Sequence, residues 1–269
     1  MEKSVRFAQI DQWPALHRFL EQKGSGHRQY SHYTTLSVLR QIVTGRQWRF
    51  GSPLLMNDQD ELSRIPSVQQ RTLFFSCFTF MNSENMAMWG LYGIPDDEAV
   101  RICFPGKAMR QWVTALKPAE TEDSACRVVL SDVVYLGTQH QKLYYNNTSN
   151  LLLRQRNSLA EVQNQLAGRL KHYAWKYEQE CRLFLIPAST VSRRFLMAPI
   201  PSALLEQMAV WYGPQVSSAT QRQMDRLLMA AGLRRGQRSE FTGLVAMKKI
   251  CDSCLHHYEK QEQSDKMTG

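Results

Sequence analysis

The chain has 269 residues, 43% hydrophobic and 21% charged, with a net charge of +9. That composition excludes a disordered or fibrous protein, and no apolar run approaches the ~20 residues of a membrane-spanning helix. The basic balance favours an anionic partner such as a nucleotide, a phosphorylated substrate or a nucleic acid, or else reflects only a soluble basic surface. The N-terminus MEKSVRFAQIDQW lacks the apolar core of a secretory signal. Cys77, Cys103, Cys126 and Cys181 stand singly in apolar stretches, as buried free thiols do. A cytoplasmic location is expected.

In chain order, residues 4–22 read as a short helix, broken by the loop KGSGHRQ at 23–29. Tyr30–Tyr33 reads as a strand. Thr34 or Thr35 caps a helix carrying Leu36, Leu39, Ile42 and Val43, which Gly45 ends. Trp48–Phe50 forms a second strand, stopped by Ser52-Pro53. LLMNDQDEL (54–62) is an acidic loop. RTLFFSCFTF (71–80) is a central strand buried on both faces. A helix follows over 83–93 with Ser83 as its cap, then a strand over 98–104 and a helix in KAMRQWVTAL. CRVVLSDVVYL (126–136) is a strand or a bent pair. From Asn150 to about Tyr173, apolar residues at three, four and seven predict one long amphipathic helix. PSALLEQM is a helix, AVWYG a strand, SSATQRQMDRLLMAAG a helix and FTGLVAMKKI a last strand. One α+β domain over 1–258 is expected, with a polar, disordered tail at 259–269. The short, irregularly spaced strands argue against a doubly wound fold. GxGxxG and GxxxxGK[ST] are both absent.

KYEQECRLFL (176–185) raises the main chemical question. Read as a strand, it points Glu178, Glu180 and Arg182 to one face, because side chains alternate with period two. Two like charges in a partly buried site raise one pKa, while Arg182 favours ionisation. Such tuned carboxylates serve acid–base or oxocarbenium chemistry; the alternative is an exposed salt-bridged face. In SHYT, His32 lies between tyrosines ahead of a helix N-terminus, a setting for an anion or a nucleotide. Asn57, Asp58, Asp60 and Glu61 suit a metal, a ribose or an Asx-type turn. Met88, Trp89 and Tyr92 fit a core as well as a binding wall. CDSCLHH offers Cys251, Cys254, His256 and His257 for a metal, without the second spaced pair that a zinc motif needs. No metal is expected. The basic residues between 215 and 250, Arg222 and Arg226 among them, suit nucleic acid or a solvated face.

Taken in order, SHYTTLSVLRQIVTGRQWRFGSPLLMNDQDE, SCFTFMNSENMAMWGLYG, RICF and WKYEQECRLFL resemble the prokaryotic domain of unknown function 2971 family, over about residues 30–250. Tyr33, Thr34, Phe50, Ser52, Pro53, Asn57, Asp58, Met88, Trp89, Tyr92, Trp175, Glu178, Glu180 and Arg182 fall on its pattern. Gln59 and Asp60 separate Asn57-Asp58 from Glu61, so Glu61 receives no role. More distantly, a first-strand histidine, a small polar residue on a second strand and a late Glu-x-Glu resemble ADP-ribosyltransferases. That resemblance implies a split, mostly antiparallel sheet flanked by helices, and NAD as substrate. It implies His32 for NAD binding, Ser52 near the ribose, Glu180 as the catalytic carboxylate and Glu178 orienting the acceptor. Tyr33, Thr34, Asn57, Asp58, Trp89 and Tyr92 complete the expected nucleotide site. Arg182, foreign to the transferase pattern, holds Glu178 or Glu180 ionised. A nucleic-acid acceptor, a neutralising protein partner and a toxin or phage-defence role in a bacterium are the further implications. The rival readings are a nucleic-acid binder, a metal-dependent nuclease using Asp58, Glu178 and Glu180, and an inactive scaffold.

Overall fold

The computed structural model describes residues 6–56, 58–93, 96–116, 126–137, 142–150 and 157–244. The elements run α1 (Trp13–Gly26), β1 (Gln29–Thr35), α2 (Leu36–Gly45), β2 (Gln47–Gly51), α3 (Gln59–Ser63), β3 (Phe74–Thr79), α4 (Met86–Tyr92), β4 (Ala99–Pro105), α5 (Gly106–Ala115), β5 (Arg127–Asp132) and β6 (Val134–Leu136). They continue with β7 (Leu143–Tyr145), β8 (Thr148–Asn150), α6 (Leu159–Gln165), β9 (Leu170–His172), β10 (Glu180–Ile186), β11 (Phe195–Pro199), α7 (Ser202–Leu205), β12 (Ala209–Tyr212), α8 (Ser218–Ala230) and β13 (Gln237–Arg238). The fold is α+β, as expected. Two sheets, almost wholly antiparallel, are flanked by helices. Among the described residues no helix is long and apolar enough to cross a membrane.

The larger sheet has the path β11-β2-β3-β1-β4-β12-β13, with β10 and β5 branching from β3. β1 pairs with β4 over its whole length, from Gln29↔Pro105 to Thr35↔Ala99. It meets β3 only at Ser31↔Thr79, and β2 meets β3 only at Gly51↔Phe75. β1 and β2 therefore share one edge of β3 and splay apart between those two bridges. The opposite edge of β3 is fully zipped to β10, from Glu180↔Thr79 to Leu185↔Phe74. This fork positions the site.

The core follows from the apolar periodicities. Leu36, Leu39, Ile42 and Val43 of α2 pack with Trp48, Phe50, Phe104, Met109, Trp112, Leu204, Met224 and Leu228 against one sheet face. A second cluster joins Leu16, Phe19 and Leu20 of α1 to Val134, Leu136, Leu143, Val162 and Leu166 around the small β8-β7-β6-β9 sheet. Each buried Leu, Ile or Phe contributes roughly 1.5–3 kcal/mol by leaving water.

Several sequence expectations are corrected. Among the described residues of the helix expected over 150–173, only the seven of α6 are α-helical. Gly168, at φ +69, turns the chain so that Leu170–His172 becomes a strand. α1 runs through Lys23–Gly26, where a loop was expected. Met86–Tyr92 is capped by Asn85, whose carbonyl Oδ1 accepts from the Ala87 and Met88 amides, and not by Ser83. The acidic loop contains the helical turn α3. Thr35 caps α2 as expected, and 126–136 is the bent pair β5–β6. Much of the expected last strand, the C-terminal tail and the CDSCLHH cluster lie outside the described residues.

Candidate active site

The strand reading of 176–185 fails over its first four residues, 176–179. Glu178 ends a 3-10 helix (Tyr173–Glu178), Gln179 takes the left-handed conformation (φ 44, ψ 60), and β10 starts only at Glu180. A non-glycine residue held there costs of order 1–3 kcal/mol, and such strain gathers at functional sites. Glu178 and Glu180 converge nonetheless, through one cation: the Lys171 ammonium on β9 bonds Glu178 Oε2 and, at 3.0 Å, Glu180 Oε2.

Arg182 extends the network. Its Nε donates to Glu180 Oε1 at 2.6 Å and its Nη2 to Glu180 Oε2 at 3.1 Å. Its other side forks onto both carboxylate oxygens of Glu61, with Nη2 to Oε2 at 3.0 Å. Nη1 also donates to the carbonyl that Gly168 turns inward, at 2.9 Å. Tyr92 O–H donates to Glu178 Oε1 at 2.6 Å, and the Glu180 amide donates to Tyr135 Oη at 3.0 Å. Glu61, Lys171, Glu178, Glu180 and Arg182 are each no more than 5% exposed. Burying five charges at this depth is costly unless each is paired and hydrogen-bonded, and here each is.

Three carboxylates face two cations, which leaves one negative charge in excess when all are ionised. Burial alone raises Glu180, but Arg182 and Lys171 overcome it and hold Glu180 below the ordinary carboxylate range. Burial, then Glu180, raise Glu178 against the pull of Lys171 and Tyr92. Burial also raises Glu61, with Arg182 opposing. A proton entering the cluster therefore goes to Glu178 or Glu61, and Glu180 stays charged. Burial lowers Lys171, but Glu180 and Glu178 reverse that and hold it charged.

This network forms one wall of a cleft of about 640 Å³ that opens into the fork between β1 and β2. His32 lines the same cleft. Its Nδ1 donates to the Cys77 carbonyl at 2.8 Å, on the stretch of β3 that neither β1 nor β2 covers. That bond fixes the tautomer and leaves Nε2 as an acceptor. Burial lowers the His32 pKa, so the ring is neutral near pH 7. It packs against Trp48, with ring centroids 5.2 Å apart, and against Phe78 at 5.8 Å.

Of the residues singled out from sequence, the cleft unites Glu178, Glu180, Arg182, His32, Tyr33, Thr34, Ser52, Asp58 and Tyr92. Trp89 is not among them. It is 1% exposed, packed edge-on to Tyr33, and its indole N–H goes to Glu84. Asn57 lies outside the described residues. Asp58 caps α3 by accepting from the Glu61 amide at 3.1 Å, while its buried Oδ2 has no partner. Ser52 Oγ is likewise buried and unpartnered. Glu61, Lys171, Cys77 and Trp175 also line the cleft. Glu61 and Lys171 carry no expected role, and Cys77, expected as a buried thiol, is instead exposed into the cleft. Asp58-x-x-Glu61 has the spacing of a capping box, a signal that would have placed Glu61 on a helix. Nothing comparable marked Lys171, which the expected long helix hid.

The family comparison agrees with the first resemblance seen in the segments. Residues 88–183 match the family described as Protein of unknown function (DUF2971). No curated protein matches the chain. Solved structures of DarT from Thermus sp. 2.9 are similar over most of the chain. The complex with ADP-ribosylated ssDNA is 12% identical, covers 79% of this chain and 93% of its own, and has a TM-score of 0.37. The NAD+ complex is 11% identical, covers 80% and 95%, and has a TM-score of 0.36.

Proposed function

We propose that the chain is an NAD-consuming enzyme of the ADP-ribosyltransferase type. The observation that carries this reading is that His32 and Glu180, whose carboxylate Arg182 and Lys171 hold below the ordinary range, line one cleft. Its volume, about 640 Å³, falls in the usual range for small-molecule sites.

In this reading NAD lies across the fork. His32 Nε2 accepts from a ribose hydroxyl, and Tyr33, Thr34, Ser52 and Asp58 supply further polar contacts. The nicotinamide ribose lies at Glu180. Breaking the C1′–N bond returns the electron pair to the nicotinamide ring and leaves positive charge on the ribose. A carboxylate already fixed by Arg182 and Lys171 stabilises that charge without reorganising. The excess negative charge acts in the same direction. Glu178, with its raised pKa, orients the acceptor and takes its proton.

The metal-dependent nuclease reading lacks comparable support. The oxygens of Glu178 and Glu180 are already engaged by Lys171, Arg182 and Tyr92, so a metal would have to displace them. A nucleic-acid acceptor, a neutralising partner and a toxin or phage-defence role belong to this proposal and rest on the resemblance. The test is calorimetric titration of NAD into wild-type protein and into His32→Ala. Micromolar binding that weakens roughly tenfold, or about 1.4 kcal/mol, supports the reading. No binding to the wild type contradicts it.

A further inference from the structure

β3 is buried at every position but one: in Phe74–Thr79 only Cys77 is exposed. That exposure is into the cleft, which Cys77 lines. Cys77 stands opposite Arg182 in the β3–β10 register, so the two side chains share a sheet face. The thiol lies close enough to Glu180 for that carboxylate's charge to act on it, while the Cys77 carbonyl accepts from His32. One residue thus stands beside both groups placed at opposite ends of the nucleotide. The cleft itself is built for a ligand on independent grounds: Ser52, 2% exposed, lines it with an Oγ that has no protein partner. Of the other described cysteines, Cys103 and Cys181 are buried and Cys126 is partly so.

We propose that the Cys77 thiol is a modification site on the cleft floor, where a mixed disulfide with a small-molecule disulfide fills the cleft and separates the ligand from Glu180. The reaction is thiol–disulfide exchange. The Cys77 sulfur, as thiolate, forms a bond to one reagent sulfur, and the reagent S–S bond breaks. The departing thiolate takes up a proton, so Cys77–SH and RSSR give Cys77–SSR and RSH. Reduction by a free thiol reverses it. Although exposed to the cleft, the thiol is shielded from bulk water by its walls, and this desolvation, then the adjacent Glu180 charge, raise its pKa and favour the protonated form. The exchange is accordingly slow at neutral pH and quickens roughly tenfold per pH unit. The consequence for NAD rests on the function proposed above; the site itself does not.

The experiment treats folded full-length protein with hydroxyethyl disulfide, maps modified peptides by mass spectrometry and measures NAD binding before and after. Cys77 is expected to be modified, more at pH 9 than at pH 7, with Cys103 and Cys181 untouched. NAD binding should fall at least ~10-fold and return after dithiothreitol. Whatever binding Cys77→Ser shows should be insensitive to the reagent. Two results overturn the proposal: Cys77 unmodified in folded protein while the urea-unfolded chain reacts, or Cys77 modified with NAD binding unchanged. If untreated protein binds no NAD, the functional reading fails and the peptide map alone decides the modification site.

Discussion

Arg182 clamps Glu180 through two bonds, Nε to Oε1 at 2.6 Å and Nη2 to Oε2 at 3.1 Å, while its opposite side forks onto Glu61. One guanidinium therefore ties a carboxylate of α3 to a carboxylate of β10, both facing the cleft. Lysine offers charge without that planar fork. Arg182→Lys is expected to cut turnover about 10²-fold, the scale of a 1 Å misplacement, with little change in NAD affinity. Steady-state kinetics beside calorimetry checks the split.

Glu61 and Asp60 are neighbours with opposite environments. Glu61 is 1% exposed and pairs with buried Arg182, whereas the Asp60 side chain is 53% exposed and pairs with Arg64 at i,i+4. Glu61→Gln weakens two buried charge-assisted hydrogen bonds from Arg182, bonds of a kind worth roughly 1.5–3 kcal/mol each, whereas an exposed pair contributes about 1 kcal/mol or less. Urea unfolding should show Glu61→Gln strongly destabilised and Asp60→Asn close to wild type.

The neutral His32 sets a pH expectation. Its folded pKa lies below the ordinary 6.5 because burial opposes charge. The ring therefore does not change charge between pH 6.5 and 8, and NAD affinity should be flat across that window. An imidazolium anchor would instead strengthen binding as the pH falls. Calorimetry at several pH values separates the two.

Glu178 supplies a second pH expectation. Burial and Glu180 raise its pKa, and the Tyr92 hydrogen bond holds it down. A base active only when ionised loses activity as pH falls through its pKa. The acid limb of the rate profile should therefore lie above the ordinary ~4.3 of glutamate. Tyr92→Phe removes the donor, raises Glu178 further and should move that limb to higher pH. A limb that stays put would remove Glu178 from the base role.

The helices and strands with clear periodicity were legible, as α2 and α8 show, because the pattern of Leu36, Leu39, Ile42 and Val43 is also the pattern of burial. The resemblance to ADP-ribosyltransferases implied His32 and Glu180 at one nucleotide, but that they line a single cleft together with Arg182 is visible only in the fold. What sequence hid was decided by single backbone positions and long-range pairing. Gly168 and Gln179 adopt positive φ, which turns the chain from α6 into β9 in one case and breaks a period of two in the other. Lys171 fell within the stretch expected as a long helix, whereas β9 pairs with β6 and buries it. Trp89 shared a helix with Tyr92, but its ring turned to the core. Glu61 matters through Arg182, 121 residues away, a distance at which local spacing says nothing.

The most direct test of the account is nicotinamide release from NAD by purified protein, with and without RNA, DNA and cell lysate, alongside Glu180→Gln confirmed as folded by circular dichroism. The account predicts release by the wild type and a loss of at least about 10²-fold in the variant, with lysate dependence pointing to the acceptor. No release by the wild type under any of these conditions, or equal release by Glu180→Gln, would contradict it. The Glu61–Arg182–Glu180–Lys171–Glu178 network would then be a structural ion-pair cluster.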